Sequence, residues 1–88
     1  MMLDMLKIDL GIMSTKAYDE RLVQYLASAK QMIEREGIKD LDLKDCFEDM
    51  QLVVMYAAWM WRKRDTGEGM PRMLRYALNN RLLSVKAR

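Results

Sequence analysis

Ten consecutive residues, Leu52 to Trp61, run Leu-Val-Val-Met-Tyr-Ala-Ala-Trp-Met-Trp without one charged side chain. At roughly 3.6 residues per turn such a run circles a helix almost three times, so it presents apolar surface in every direction. A helix on the rim of a small bundle shows a polar residue every few positions. This one has to be surrounded, either by the other helices of its own chain or by another copy. Trp59 and Trp61 lie about 200 degrees apart around the axis and cannot both enter one core, and a large side chain left in water forgoes roughly 1.5–3 kcal/mol. One of them is therefore open to a partner. The run is also too short for a membrane span, which needs about 20 apolar residues.

The chain around it has 88 residues, enough for one domain with one modest core. A domain of this size commonly leans on disulfides, a metal or a partner subunit. Cys46 is the only cysteine and has no pairing partner within the chain, so it reads as a small buried hydrophobe. With no histidine, and one thiol among scattered carboxylates, clustered metal ligands are missing and no cofactor is expected. Association is the remaining support. Met1 to Leu10 is interrupted by Asp4, Lys7 and Asp9 and lacks the apolar centre of a secretory signal, which points to an intracellular protein.

Apolar spacing predicts an all-α fold, a small bundle of about four helices with a long apolar central third helix, in one domain covering 1–88. The first helix, about 2–10, carries Leu3, Leu6 and Leu10, and Gly11 offers its stop. The second, about 15–36, places Tyr18, Leu22, Leu26, Ala29 and Ile33 on one face, with Ser14 or Thr15 as cap. Gly37 followed by Ile38 suits a Schellman ending in which Ile38 packs on Ile33. After a short polar connection from Lys39 to Leu43, the third helix runs about 43–64, with Asp45 and Glu48 spaced as a capping box and Asp42 as a second candidate cap. Asp65 to Gly69 reads as a loop, and Pro71 favours a fourth helix beginning at Met70 or Pro71 and reaching about residue 84.

Charge divides the chain. Met1 to Trp61 holds seven Lys or Arg and eleven Asp or Glu, whereas Arg62 to Arg88 holds eight and two. Such a dipole can attract its own neighbour, an acidic protein surface or nucleic acid; the plainer reading is a solvated face that complements helix dipoles. Catalysis is not expected, because no histidine supplies a proton shuttle near neutral pH and no nucleophile has an evident base. Gly67 and Gly69 are not followed by the Lys and Ser or Thr of a phosphate loop.

The order of these parts resembles the small head-tail connector proteins of tailed bacteriophages, the helical head-completion adaptors that attach beneath the portal. The residues that carry the likeness are Leu3-Asp4-Met5-Leu6-Lys7, the stretch Leu22 to Lys30 with its end at Gly37, Leu52 to Ala58, the basic exit Arg62-Lys63-Arg64, and Met70 to Leu74 with Leu78-Asn79. It covers about Leu3 to Leu83 and lies in the ensemble, not in one motif. The two tryptophans, the short connection before the third helix and the lack of a long insertion depart from the family pattern. The resemblance implies a structural virion-assembly protein at the head-tail junction, found in the host cytoplasm during assembly. Its partners would be further copies of itself in a ring, the portal protein, a further connector or tail-completion protein, and DNA passing through the channel without sequence-specific binding. No membrane partner is implied.

Candidate subunit or portal contacts are Trp59, Trp61, Arg62, Arg64, Arg72 and Arg75. The alternative is a small helical nucleic-acid-binding regulator using the basic C-terminal helix, where Arg72, Arg75, Asn79 and Arg88 fall roughly on one side. The five-residue, two-glycine joint before that helix is too loose for a helix-turn-helix.

Overall fold

The computed structural model describes residues 2–12, 16–67 and 69–86. The fold is all-α: a small bundle of four helices, with no strand among the described residues. They are α1 (Met2–Leu10), α2 (Asp19–Arg35), α3 (Phe47–Thr66) and α4 (Arg72–Lys86). The longest, α3, packs against each of the other three. At 42 × 30 × 17 Å the domain is a slab about one and a half helix diameters thick.

The core forms where the apolar stripes of α1, α2 and α4 meet α3. Leu6, Leu22, Ala29, Ile33 and Val53 are fully buried, and Leu74 and Leu78 nearly so. Within the uncharged run of α3 the burial is uneven. Leu52, Val53, Val54, Tyr56, Ala57 and Ala58 are buried, whereas Met55, Trp59, Met60 and Trp61 are only half-buried.

Helix ends differ from the spacing-based limits for identifiable reasons. Gly11 ends α1 at φ 73°, with its N–H on the Ile8 carbonyl (3.2 Å) and the Ile12 N–H on that of Lys7 (3.0 Å), the two bonds of a Schellman ending. At Gly37, φ 110°, the N–H bonds Glu34 at 3.1 Å, one of the two bonds of that ending. A Cβ there would lie 3.1 Å from Leu82 Cδ1, so α4 crosses close above the turn. Helix α2 starts at Asp19, later than predicted, after a turn that leaves Tyr18 free to pack on Trp61. Ser14 and Thr15, the expected caps, lie outside the described residues.

Helix α3 starts at Phe47 and not near residue 43, because the Asp42 carboxylate accepts the N–H groups of Lys44 and Asp45, both at 3.1 Å, and holds the chain in a turn. The N-cap is Cys46, which makes no side-chain cap bond, so the capping box from Asp45 to Glu48 does not form. At its far end α3 continues two residues past Arg64, until Gly67 adopts φ 66° and bonds the Lys63 carbonyl at 2.7 Å. Pro71 flanks α4 instead of opening it, its carbonyl accepting the Arg75 N–H at 3.1 Å.

Ala58, 1% exposed, faces the core. Ala58→Glu places an unpaired carboxylate there at a cost of several kcal/mol, against a total stability of about 5–10 kcal/mol. A circular dichroism melt should show loss of the cooperative transition; an unchanged midpoint would mean that α3 packs differently.

Candidate functional site

Two charged ends of the slab stand about 30 Å apart, the length of α3. At the first, the connection into α3 presents exposed Asp40, Asp42, Asp45 and Glu48. Behind them Asp49 is buried, 3% exposed, and faces Arg81 of α4. Arg81 Nε donates to Asp49 Oδ1 at 2.8 Å and Nη2 to Oδ2 at 3.2 Å, a two-pronged pairing of guanidinium and carboxylate. Nη2 also donates to the Asp40 carbonyl at 3.2 Å and stands 3.0 Å from its carboxylate. The Asp42 N–H adds a bond to Asp49 Oδ2 at 2.9 Å.

Burial pushes the Asp49 carboxyl up, but the Arg81 guanidinium and the Asp42 N–H outweigh it and hold Asp49 below the ordinary carboxylate value. The Asp49 hydrogen bond, assisted by the Asp49 and Asp40 charges, holds Arg81 above its own against the opposing effect of burial. A groove of about 700 Å³ runs beside this pair, lined by Gln51, Met55, Asn80 and Ser84 among others. The half-buried Cys46 lies in it.

The second end gathers aromatic rings and cations. The Trp59 ring meets Tyr56 edge-on at 5.4 Å, carries the Lys63 ammonium 4.3 Å above it and donates its Nε1–H to the Gly69 carbonyl at 3.1 Å. Trp61 sits on another side of α3, edge-on to Tyr18 and Tyr25, both at 5.5 Å, with the Arg64 guanidinium 3.8 Å from its ring centre. Cation–π contacts at such exposed sites contribute about 0.5–1 kcal/mol each. Tyr25, Trp59, Met60, Lys63 and Arg64 line an open groove of about 570 Å³ at this corner.

The six residues singled out in the sequence are thus distributed unequally. Trp59 and Arg64 line the groove at the aromatic corner, and Trp61 stands on another side of α3 beneath the Arg64 guanidinium. Arg62 instead reaches α1, its Nη2 donating to the carbonyl of Asp9 at 3.2 Å and to its carboxylate at 3.3 Å. Arg75 pairs with Glu36 at the end of α2 at 3.0 Å. Arg72 is exposed in the first turn of α4, and Arg88 lies outside the described residues.

Sequence reading missed the two pairs that most constrain the fold, Asp49–Arg81 and the buried Lys7 with Asp19 at 2.8 Å. A signal existed for the first: Arg81 interrupts the α4 stripe between Leu78 and Leu82, where a charge needs a partner.

Among the described residues no group of carboxylates and cysteine is arranged to hold a metal ion. No helix among them is long and apolar enough to cross a membrane. Compared with known proteins, the chain matches no family model, no curated protein and no solved structure.

The Asp49 pairing has a definite pH signature. A folded-state pKa below the unfolded value contributes stability that is present above the unfolded pKa and is lost as pH falls through the folded one. Urea midpoints at about pH 6 and pH 3 should therefore fall further for the parent than for Asp49→Asn, which is less stable at pH 6 but titrates no carboxyl at this position. Equal falls would show that Asp49 does not carry the depressed pKa.

Proposed function

We propose that this chain is a structural assembly subunit, a ring-forming head-tail connector of a tailed bacteriophage that docks to the portal and links the DNA-filled head to the tail. In this reading it acts in the virion, and its partners are copies of itself, the portal and a further connector or tail-completion protein. DNA passes through the ring without being read. The sequence ensemble is what suggests this family.

The observation that carries the assembly part is the polarity of the slab. Exposed Asp42, Asp45 and Glu48 stand at one end of α3, and Lys63 with Arg72 at the other. Contact of one copy's acidic end with the next copy's basic end is head-to-tail, and such contacts close into rings when the rotation allows. Arg62 belongs to this account less directly than its sequence position suggests, since it already holds Asp9 of its own chain. The regulator alternative draws less support: Arg75 is engaged with Glu36, so among the described residues of that face α4 offers Arg72 and Asn79 and not the row of cations that duplex DNA requires.

Charge reversal at the exposed positions provides the test. Lys63→Glu with Arg72→Glu should weaken assembly on a portal ring while leaving the helical signal intact, because rim charges act on encounter and pairing more than on folding. Light scattering and circular dichroism on one sample read both. Assembly equal to the parent at matched salt would remove the electrostatic part of the proposal, and a parent that stays monomeric with portal present would remove the connector reading itself. Strong, salt-sensitive binding to random duplex DNA would favour the regulator.

A further inference from the structure

Phe47, the only phenylalanine of the chain, opens α3 with 59% of its surface exposed. Exposed Asp45 and Glu48 flank it in the sequence. The acidic end of the slab thus carries one large aromatic side chain whose burial would be favourable.

The other end of α3 carries a hollow of the opposite character. The open groove of about 570 Å³ is lined by Tyr25, Trp59 and Met60 together with Lys63 and Arg64, and no carboxylate lines it among the described residues. Gly67 and Gly69 complete the lining without side chains, and a Cβ added at either would meet nothing within 4 Å. The groove is apolar, rich in aromatic surface and cationic.

Ring and groove do not meet within one chain. Met60 and Lys63 follow Phe47 on one continuous helix, which places them about 20–24 Å further along its axis and about 140–160 degrees around it. Phe47 and the groove therefore stand near opposite ends of α3 and on roughly opposite sides of it.

We propose that the Phe47 ring seats in the aromatic groove of a second copy, with Asp45 and Glu48 facing the Lys63 and Arg64 of that copy. The inference rests on the contact between unlike ends proposed above and names the side chains that make it. Charge complementarity selects a second copy, because the chain itself carries both halves of the contact: a ring between carboxylates and a ring-lined groove with cations. Trp59 and Tyr25 already make edge-on contacts with other rings, the geometry open to an entering phenylalanine, and the Met60 thioether suits an aromatic neighbour.

The two halves differ, so the contact is head-to-tail, and a copy that fills its neighbour's groove leaves its own open to the next. A reciprocal dimer, with each ring in the other's groove, needs ring and groove on one side of the molecule. Their placement on opposite sides of α3 directs successive copies onward.

Sedimentation velocity of the full chain between about 5 and 500 μM reads this contact without portal. The parent should associate reversibly. Phe47→Ser removes the ring, and Gly69→Glu places a carboxylate in the groove where a Cβ has room. Each should weaken self-association by about ten- to a hundredfold, the effect expected of one buried aromatic side chain. Both positions are exposed, so circular dichroism should show unchanged helicity and melting. Mixed in equal amounts, the two variants should form a dimer and nothing larger, because the groove of the first accepts the ring of the second and the remaining ends are both disabled. A parent that stays monomeric, a variant that associates as the parent does, or a mixture without dimer would overturn the inference and leave the portal test unaffected. A dimer in the mixture from a chain that ignores portal would uphold this contact and remove the connector reading.

Discussion

The ion pair between Asp49 and Arg81 fixes the relation on which the rest of the structure depends. Two parallel hydrogen bonds hold a buried carboxylate at the start of α3 to a guanidinium near the end of α4. Breaking a buried pair by removing one partner strands the other charge and destabilises by about 3–5 kcal/mol, even where the pair itself adds little over an apolar replacement. Together with the buried Leu74 and Leu78, it fixes the rotation of α4 about its own axis, and with it which side chains enter the core and which are left outside.

That rotation changes what the basic half of the chain presents. A net positive stretch in the sequence becomes, in the fold, a set of cations largely engaged with the domain itself: Arg62 with Asp9, Arg64 over Trp61, Arg75 with Glu36 and Arg81 with Asp49. The acidic end keeps its exposed carboxylates because only Asp49 and Asp40 are drawn to Arg81. Arg72 stays exposed at the start of α4.

Fold class and the order of helices were legible because they depend on short-range periodicity. Leu22, Leu26, Ala29 and Ile33 lie on one stripe in any helix, and all four are buried here. Helix limits were less legible where side chains compete locally: Asp42 turns the chain before α3, and Gly67, not the first polar residue, stops it. The candidate site was legible in its parts and not in its arrangement. The separation of Trp59 from Trp61 around the helix follows from their spacing, but their different partners depend on where Tyr18, Tyr25 and Gly69 arrive from other elements. Which arginines remain outside is likewise a tertiary property, since Arg72 and Arg75 differ by less than one turn and only Arg75 meets Glu36.

The most direct test of this account is a double-mutant cycle on Asp49 and Arg81, read by urea unfolding at neutral pH for Asp49→Ala, Arg81→Ala and the pair together. A buried, two-pronged ion pair predicts that each single change is strongly destabilising and that the double change costs much less than their sum, with a coupling energy of about 2 kcal/mol or more. Costs that add to within about 0.5 kcal/mol would show that the two residues do not hold each other, and the orientation of α4 would have to be explained another way.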